Sequence, residues 1–136
     1  MELLEKLLLK KKENVSCFFN NFRKLDIWKK AIELTKLIYK ITVAFPITEK
    51  YGLKSQIQRA SVSVASNIAE GSSRRSEVDF ARFLEMSIGS AFEVETQLII
   101  AKELGYISKS NYESILSHIQ ILQKQINALL TKIRLG

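Results

Sequence analysis

Cysteine, proline and glycine are all scarce in this chain of 136 residues, at one, one and five. The lone Cys17 cannot close an internal disulfide, which excludes a disulfide-stapled scaffold and points to a reducing, cytoplasmic setting. A β-sandwich needs a turn every few residues, and so few glycines and prolines do not supply them; long helices need few. Histidine is equally scarce. His118 stands alone, and the residue three before it is Ile115, so the paired Glu-x-x-His motifs of a di-iron bundle are absent. The plainest reading of His118 is a surface or boundary residue. There is no nucleophile-elbow glycine pattern, no P-loop and no G-x-G-x-x-G, and Cys17 carries no sign of a nucleophile. The expectation is a protein with no catalytic residues, no metal and no cofactor.

Long apolar runs are also missing. None approaches the roughly 20 residues that a membrane-spanning helix requires, so no membrane role is expected. The opening MELLEKLLLKKK resembles a targeting segment only superficially. A secretory signal places positive charge before its apolar stretch, and here the lysines follow a very short one, with no small-residue cleavage site after it. Residues 1–21 read as an N-terminal extension, a short helix or a mobile tail, ahead of one domain over residues 22–136.

What the chain has is 46% apolar residues, enough for one core, and 26% charged residues with a net charge of +7. An excess of positive charge suits a polyanionic partner such as RNA, DNA or an acidic protein surface, although ordinary soluble basic proteins carry as much.

The apolar residues fall into four heptad stripes. The first is Ile27, Ala31, Leu34, Ile38, Ile41 and Phe45, spaced 4, 3, 4, 3, 4, with Asp26 as N-cap and Pro46 as stop. The second is Leu53, Ile57, Ala60, Val64 and Ile68, ended by Gly71; Ser61, Ser63 and Ser66 are small enough to let neighbouring helices approach. The third is Phe80, Leu84, Ser87, Ala91, Val94, Leu98 and Ala101, begun at Ser76 and ended by Gly105. A second line beside it, Ala81, Ile88, Phe92 and Ile99, widens its apolar arc, as in a central helix or one that also touches another subunit. The fourth is Tyr112, Ile115, Ile119, Leu122, Ile126, Leu129 and Ile133, with Ser110 and Glu113 as a capping box. Short loops join the four, which predicts an all-α, up-down-up-down antiparallel four-helix bundle with left-handed packing.

Glu93 and Glu95 are the nearest thing to a carboxylate pair, with Glu70 ahead of Gly71. Two residues apart on a helix, they point in different directions, and Arg59, Arg74 and Arg82 are at hand as partners, so a structural polar network is favoured over acid–base chemistry.

Charge is unevenly spread. The first helix region carries Arg23, Lys24, Lys29, Lys30, Lys36 and Lys40 against Asp26 and Glu33, and the fourth carries Lys124, Lys132 and Arg134 against Glu113. The third is acidic, with Glu77, Asp79, Glu85, Glu93, Glu95 and Glu103 against Arg82 and Lys102. The first and fourth helices are neighbours in an up-down bundle, so those nine cations are candidates for one phosphate-binding surface. Trp28 and Tyr39 lie off the first stripe and are candidates for stacking on bases or for anchoring a subunit contact. Acidic third and basic first helices also suit pairing between copies.

A longer pattern runs through these elements: Phe22-Arg23-Lys24-Leu25-Asp26-Ile27-Trp28, Phe45-Pro46, Glu49-Lys50-Tyr51-Gly52-Leu53, Gln56, Arg59-Ala60, Ser63, Asn67-Ile68-Ala69-Glu70-Gly71 and Arg74. It continues through Phe80-Ala81-Arg82-Phe83-Leu84, Gly89-Ser90, Glu93, Glu95-Thr96-Gln97-Leu98 and Leu104-Gly105-Tyr106-Ile107. From about Phe22 to Leu135 the chain resembles the bacterial four helix bundle protein family, which includes proteins encoded in intervening sequences of large-subunit ribosomal RNA genes and once labelled ribosomal proteins. The resemblance implies a four-helix bundle that assembles as a ring-like homopentamer and has a link to nucleic acid, with an accessory protein of diversity-generating retroelements as a distant relative; it does not imply an enzymatic activity. It gives Gln56, Arg59, Asn67, Glu70, Arg74, Arg82 and Glu93 no chemistry beyond tying helices together or lining a subunit contact. The leading expectation is an oligomeric RNA- or DNA-associated protein; the rival is an interaction module whose partner is another protein, such as a polymerase.

Overall fold

The four apolar stripes become four helices: α1 over Asp26–Thr42, α2 over Leu53–Ser72, α3 over Glu77–Glu103 and α4 over Lys109–Leu135. Short 3-10 turns, Phe22–Lys24 and Ile47–Glu49, precede α1 and α2. The structure is a computed structural model that describes residues 2–3 and 21–136, and among them there is no strand. Most of the N-terminal extension, Cys17 included, lies outside the described residues.

Each helix packs on the next, and α1 also packs on α4, closing the bundle around one core. The third stripe is the best buried: Phe80, Leu84, Ser87, Ala91, Val94, Leu98 and Ala101 have essentially no exposed surface. Leu34, Ile38, Ile57, Val64, Ile68, Ile119, Leu122 and Ile126 complete the core from the other three helices.

Hydroxyls and amides pin the helices together. Ser87 Oγ donates to Val64 O at 2.8 Å, Ser90 Oγ to Ser63 Oγ at 3.0 Å, and Thr35 Oγ1 to Ser61 O at 3.1 Å. Gln58 Nε2 donates to Thr42 Oγ1 at 3.0 Å, and Gln123 Nε2 to Glu95 Oε2 at 2.9 Å. Partners run in opposite orders along the two members of each pair: Thr35 with Ser61, then Thr42 with Gln58; Ser87 with Val64, then Ser90 with Ser63. Ser61, fully buried against α1, and Ser63, facing α3, allow the close approach expected of them. Ser66 is exposed at the edge of the α1–α2 groove.

The helix ends differ from expectation in four places. Asp26 is the first helical residue, not the cap; Leu25 holds the cap position with extended backbone and no side-chain bond. α1 ends at Thr42, whose hydroxyl donates to Ile38 O at 2.8 Å. Phe45 is therefore beyond the helix, although its ring stays buried, 5.5 Å from that of Tyr106.

Gly71 does not stop α2. It lies inside the helix, which runs on to Ser72, and the reason for glycine is contact: a β-carbon there would sit 2.6 Å from Phe83 Cβ. The fourth difference is the start of α4. Ser108, not Ser110, caps it, accepting the Asn111 amide at 3.2 Å; Ser110 lies within the helix, and Glu113 faces Lys109 instead.

Elsewhere the signals act as read. Ser76 Oγ accepts the Asp79 amide at 3.1 Å. Gly105 has φ +77°, and the bonds Gly105 N to Lys102 O and Tyr106 N to Ala101 O close a Schellman motif at the end of α3.

Candidate nucleic-acid interface

Helical period places Lys29, Glu33, Lys36, Lys40 and Val43 on one line along α1, opposite the buried Ile27, Ala31, Leu34 and Ile38. Lys29, Lys36 and Lys40 are all exposed. Lys36 Nζ is 3.4 Å from Glu33 Oε1, a solvent-exposed pair of small energetic weight. Lys29 and Lys40 have no ion-pair partner among the described residues.

The line leads into the α1–α2 turn. Val43, Phe45, Pro46, Ile47, Lys50 and Lys54 line a depression of about 290 Å³ there. The turn is held by Glu49 N to Pro46 O at 2.9 Å, Lys50 N to Ile47 O at 3.1 Å and Gly52 N to Glu49 O at 3.0 Å. Its one carboxylate is engaged: Glu49 Oε2 accepts the Leu53 amide at 2.7 Å, capping α2 from outside the helix. Gly52 leaves it room, since a β-carbon there would lie 2.9 Å from that oxygen. Tyr51 stands out from the turn, 88% exposed, with Lys50 Nζ 5.4 Å from its ring centre. Lys50, Tyr51 and Lys54 had no place among the nine cations and two aromatics that charge counting picked out. An exposed aromatic beside lysines within a turn is the signal that would have found them.

The other cations disperse. Lys30 lies in line with Leu37 and Ile41, which with Lys40, Ala44, Asn111, Ser114 and Ile115 line the α1–α4 cleft. Lys132 is exposed near the C-terminal end of α4. Lys124 falls on the side of α4 away from the core. Arg23 and Lys24 are exposed on the 3-10 turn, which packs on α1 and α2 rather than α4. Arg134 leaves the group altogether, because its guanidinium pairs with Glu85 of α3. Trp28 is half-buried, edge-on to Phe22 with centroids 5.3 Å apart, and Tyr39 is half-exposed.

The recurring polar residues form a separate line on α2, Gln56, Arg59, Ser63, Asn67 and Glu70, beside α3, with Arg74 just past the end of the helix. Asn67 is buried and donates to Ser63 O at 2.9 Å and Ser63 Oγ at 3.0 Å, and Ser63 in turn receives Ser90. Glu70 pairs with Arg74 at 3.2 Å, and the Arg74 and Arg82 guanidiniums lie 4.9 and 5.5 Å from the Phe83 ring centre. Arg82 also faces Asp79 at 3.8 Å. Glu93 and Glu95 diverge as expected, but their partners are amides, Gln97 and Gln123, not arginines. Gln56 and Arg59 are exposed. Of these contacts, Ser90 to Ser63 and Arg74 to the Phe83 ring join α2 and its end to α3, and Gln123 to Glu95 joins α4 to α3.

His118 is half-buried on α4. Among the described residues, no group of three or more His, Cys, Asp or Glu side chains is placed to hold a metal ion, and no helix is long and apolar enough to cross a membrane. On α3, the line Val78, Arg82, Glu85, Gly89, Phe92, Thr96, Ile99 and Glu103 faces outward with heptad spacing, and Phe92 is 54% exposed. A β-carbon added at Gly89 would meet nothing within 4 Å.

The fold resembles that of a crystallised protein of unknown function from the S23 ribosomal protein family of Bacteroides thetaiotaomicron VPI-5482, with a TM-score of 0.71 and 23% identity over 77% of this chain and 95% of the other. No curated protein matches the chain. The family model described as 23S rRNA-intervening sequence protein matches residues 23–128, and the chain belongs to that family.

Proposed function

We propose that the protein is a non-enzymatic, self-associating RNA-binding protein of the cytoplasm, tied to an intervening sequence of 23S ribosomal RNA. The observation that carries this reading is the line Lys29, Lys36 and Lys40 on the solvent side of α1, continued by Lys50 and Lys54 at the α1–α2 turn. Such a track spaces positive charge along the bundle, contacts phosphates without reading bases, and loses affinity steeply with salt. The family's description names ribosomal RNA as the setting, which favours RNA over DNA.

The test is the triple charge reversal Lys29→Glu/Lys36→Glu/Lys40→Glu. All three side chains are exposed, so helicity and melting should stay near wild type while binding of a structured ribosomal RNA fragment is abolished. Binding that survives the triple change would place the interface elsewhere.

A second reading has its own observation. The outward line of α3 exposes Val78, Phe92 and Ile99 beside the bare Gly89, and its glutamates complement the lysines of α1. That face suits another copy of the chain, up to the pentamer implied by family resemblance, or a different protein. A homogeneous monomer at micromolar concentration, paired with a tight protein partner, would favour the interaction-module alternative.

A further inference from the structure

We propose that the α1–α2 turn is a stacking site for an unpaired nucleotide, with Tyr51 as the platform and Lys50 and Lys54 taking the flanking phosphates. The inference rests on the RNA-binding reading and adds a preference for single-stranded over duplex stretches.

Three observations converge on the turn. The first is exposure. Ile47 and Tyr51 are each 88% exposed and Val43 is 76% exposed, the largest apolar exposures within the span from α1 to the start of α2. Among the described residues the Tyr51 ring has one cation over it, the Lys50 ammonium, and its exposure leaves most of the ring open to a base. The second is rigidity. Buried Phe45, the three backbone bonds of the turn and the Glu49 cap of α2 fix the backbone that presents Tyr51. A platform held this way loses little freedom on binding. The third is charge. Lys50 and Lys54 line the depression of the turn, the Lys50 ammonium lies over the Tyr51 ring, Lys40 on α1 stands one turn before Val43, and the single carboxylate of the turn accepts the Leu53 amide. Aromatic rings among phosphate-reaching cations are the arrangement by which single strands are bound without sequence preference.

The geometry disfavours a duplex at the same place. A-form RNA stacks its bases inside the helix and presents phosphates and 2′-hydroxyls, for which a protruding phenol ring has no use. A strand lying along Lys29, Lys36 and Lys40 would bring one splayed base to Tyr51.

The experiment uses the full chain, a fluorescently labelled single-stranded oligouridine, and an RNA duplex of similar charge. Binding is followed by anisotropy for wild type, Tyr51→Ala, Tyr51→Phe and Lys50→Ala/Lys54→Ala. Tyr51→Ala should weaken single-strand binding by about 5- to 150-fold, the range for loss of one stacked base. Duplex affinity should change little, and Tyr51→Phe should keep the wild-type value. The lysine pair should weaken both ligands. Equal single-strand affinity for wild type and Tyr51→Ala would overturn the stacking site; if Lys29→Glu/Lys36→Glu/Lys40→Glu still abolished binding, the basic-track reading would stand. No binding of either RNA by wild type would remove both. Light scattering of Tyr51→Ala supplies the last arm: loss of self-association with unchanged RNA affinity would assign the patch to another copy and overturn the proposal.

Discussion

Gly71 of α2 lies so close to Phe83 of α3 that a β-carbon on the glycine would be 2.6 Å from Phe83 Cβ and 3.0 Å from Phe80 Cδ2. Both phenylalanines are buried, so neither has room to yield. Gly71→Ala gains about 1 kcal/mol of helix propensity and forces these helices apart. The net expectation is a loss of about 1–3 kcal/mol, the usual cost of overpacking a core. Urea unfolding should show a lower midpoint with little change in slope.

Gly89 is the control. It sits in the middle of α3, and a β-carbon there meets nothing within 4 Å. Gly89→Ala should therefore raise the stability of the isolated chain by up to about 1 kcal/mol. If α3 packs on another copy through this face, the same change should also lower the association constant, measured by light scattering across a dilution series. Phe92→Glu should do so more severely while leaving helicity intact.

The bond from the Leu53 amide to Glu49 Oε2 spans 2.7 Å and caps a helix whose cap residue, Gly52, has no side chain to offer. Glu49→Ala should cost about 0.5–2 kcal/mol, the range for losing a side-chain cap. Glu49→Gln keeps an acceptor without the charge and should cost less. A melting temperature unchanged in Glu49→Ala would mean that the cap contributes nothing to stability.

Leu98 is wholly buried towards the C-terminal end of α3. Leu98→Ala should cost about 2–5 kcal/mol by removing buried methyl groups and leaving a cavity. A loss below about 1 kcal/mol would contradict a closely packed core at this point.

The helices were legible in the sequence because their signal is periodic: every member of the stripe from Phe80 to Ala101 is buried, as its spacing required. What escaped depended on neighbours that a local window does not contain. Gly71 carries the same letter whether it ends a helix or admits Phe83, and only the packing of α3 decides. Ser108 and Ser110 both precede an apolar run; backbone geometry makes Ser108 the cap, with φ −66° and ψ 152°. Arg134 reads as part of the basic fourth helix until Glu85, far away in sequence, draws it to α3. The lysine line of α1 was visible by counting, whereas the exposed Tyr51 and the depression lined by Lys50 and Lys54 arise where α1 and α2 meet.

The salt dependence of RNA binding tests the central claim most directly. Affinity of the full chain for a structured 23S ribosomal RNA fragment would be measured by anisotropy across a range of potassium chloride concentrations. Engagement of Lys29, Lys36, Lys40, Lys50 and Lys54 with phosphates predicts that log K falls linearly with log salt, with a slope of about −3.5 to −4.5. The slope should flatten in Lys29→Glu/Lys36→Glu/Lys40→Glu if any binding remains. Absence of binding at low salt, or a slope near zero, would contradict the account and leave the bundle as a partner for proteins.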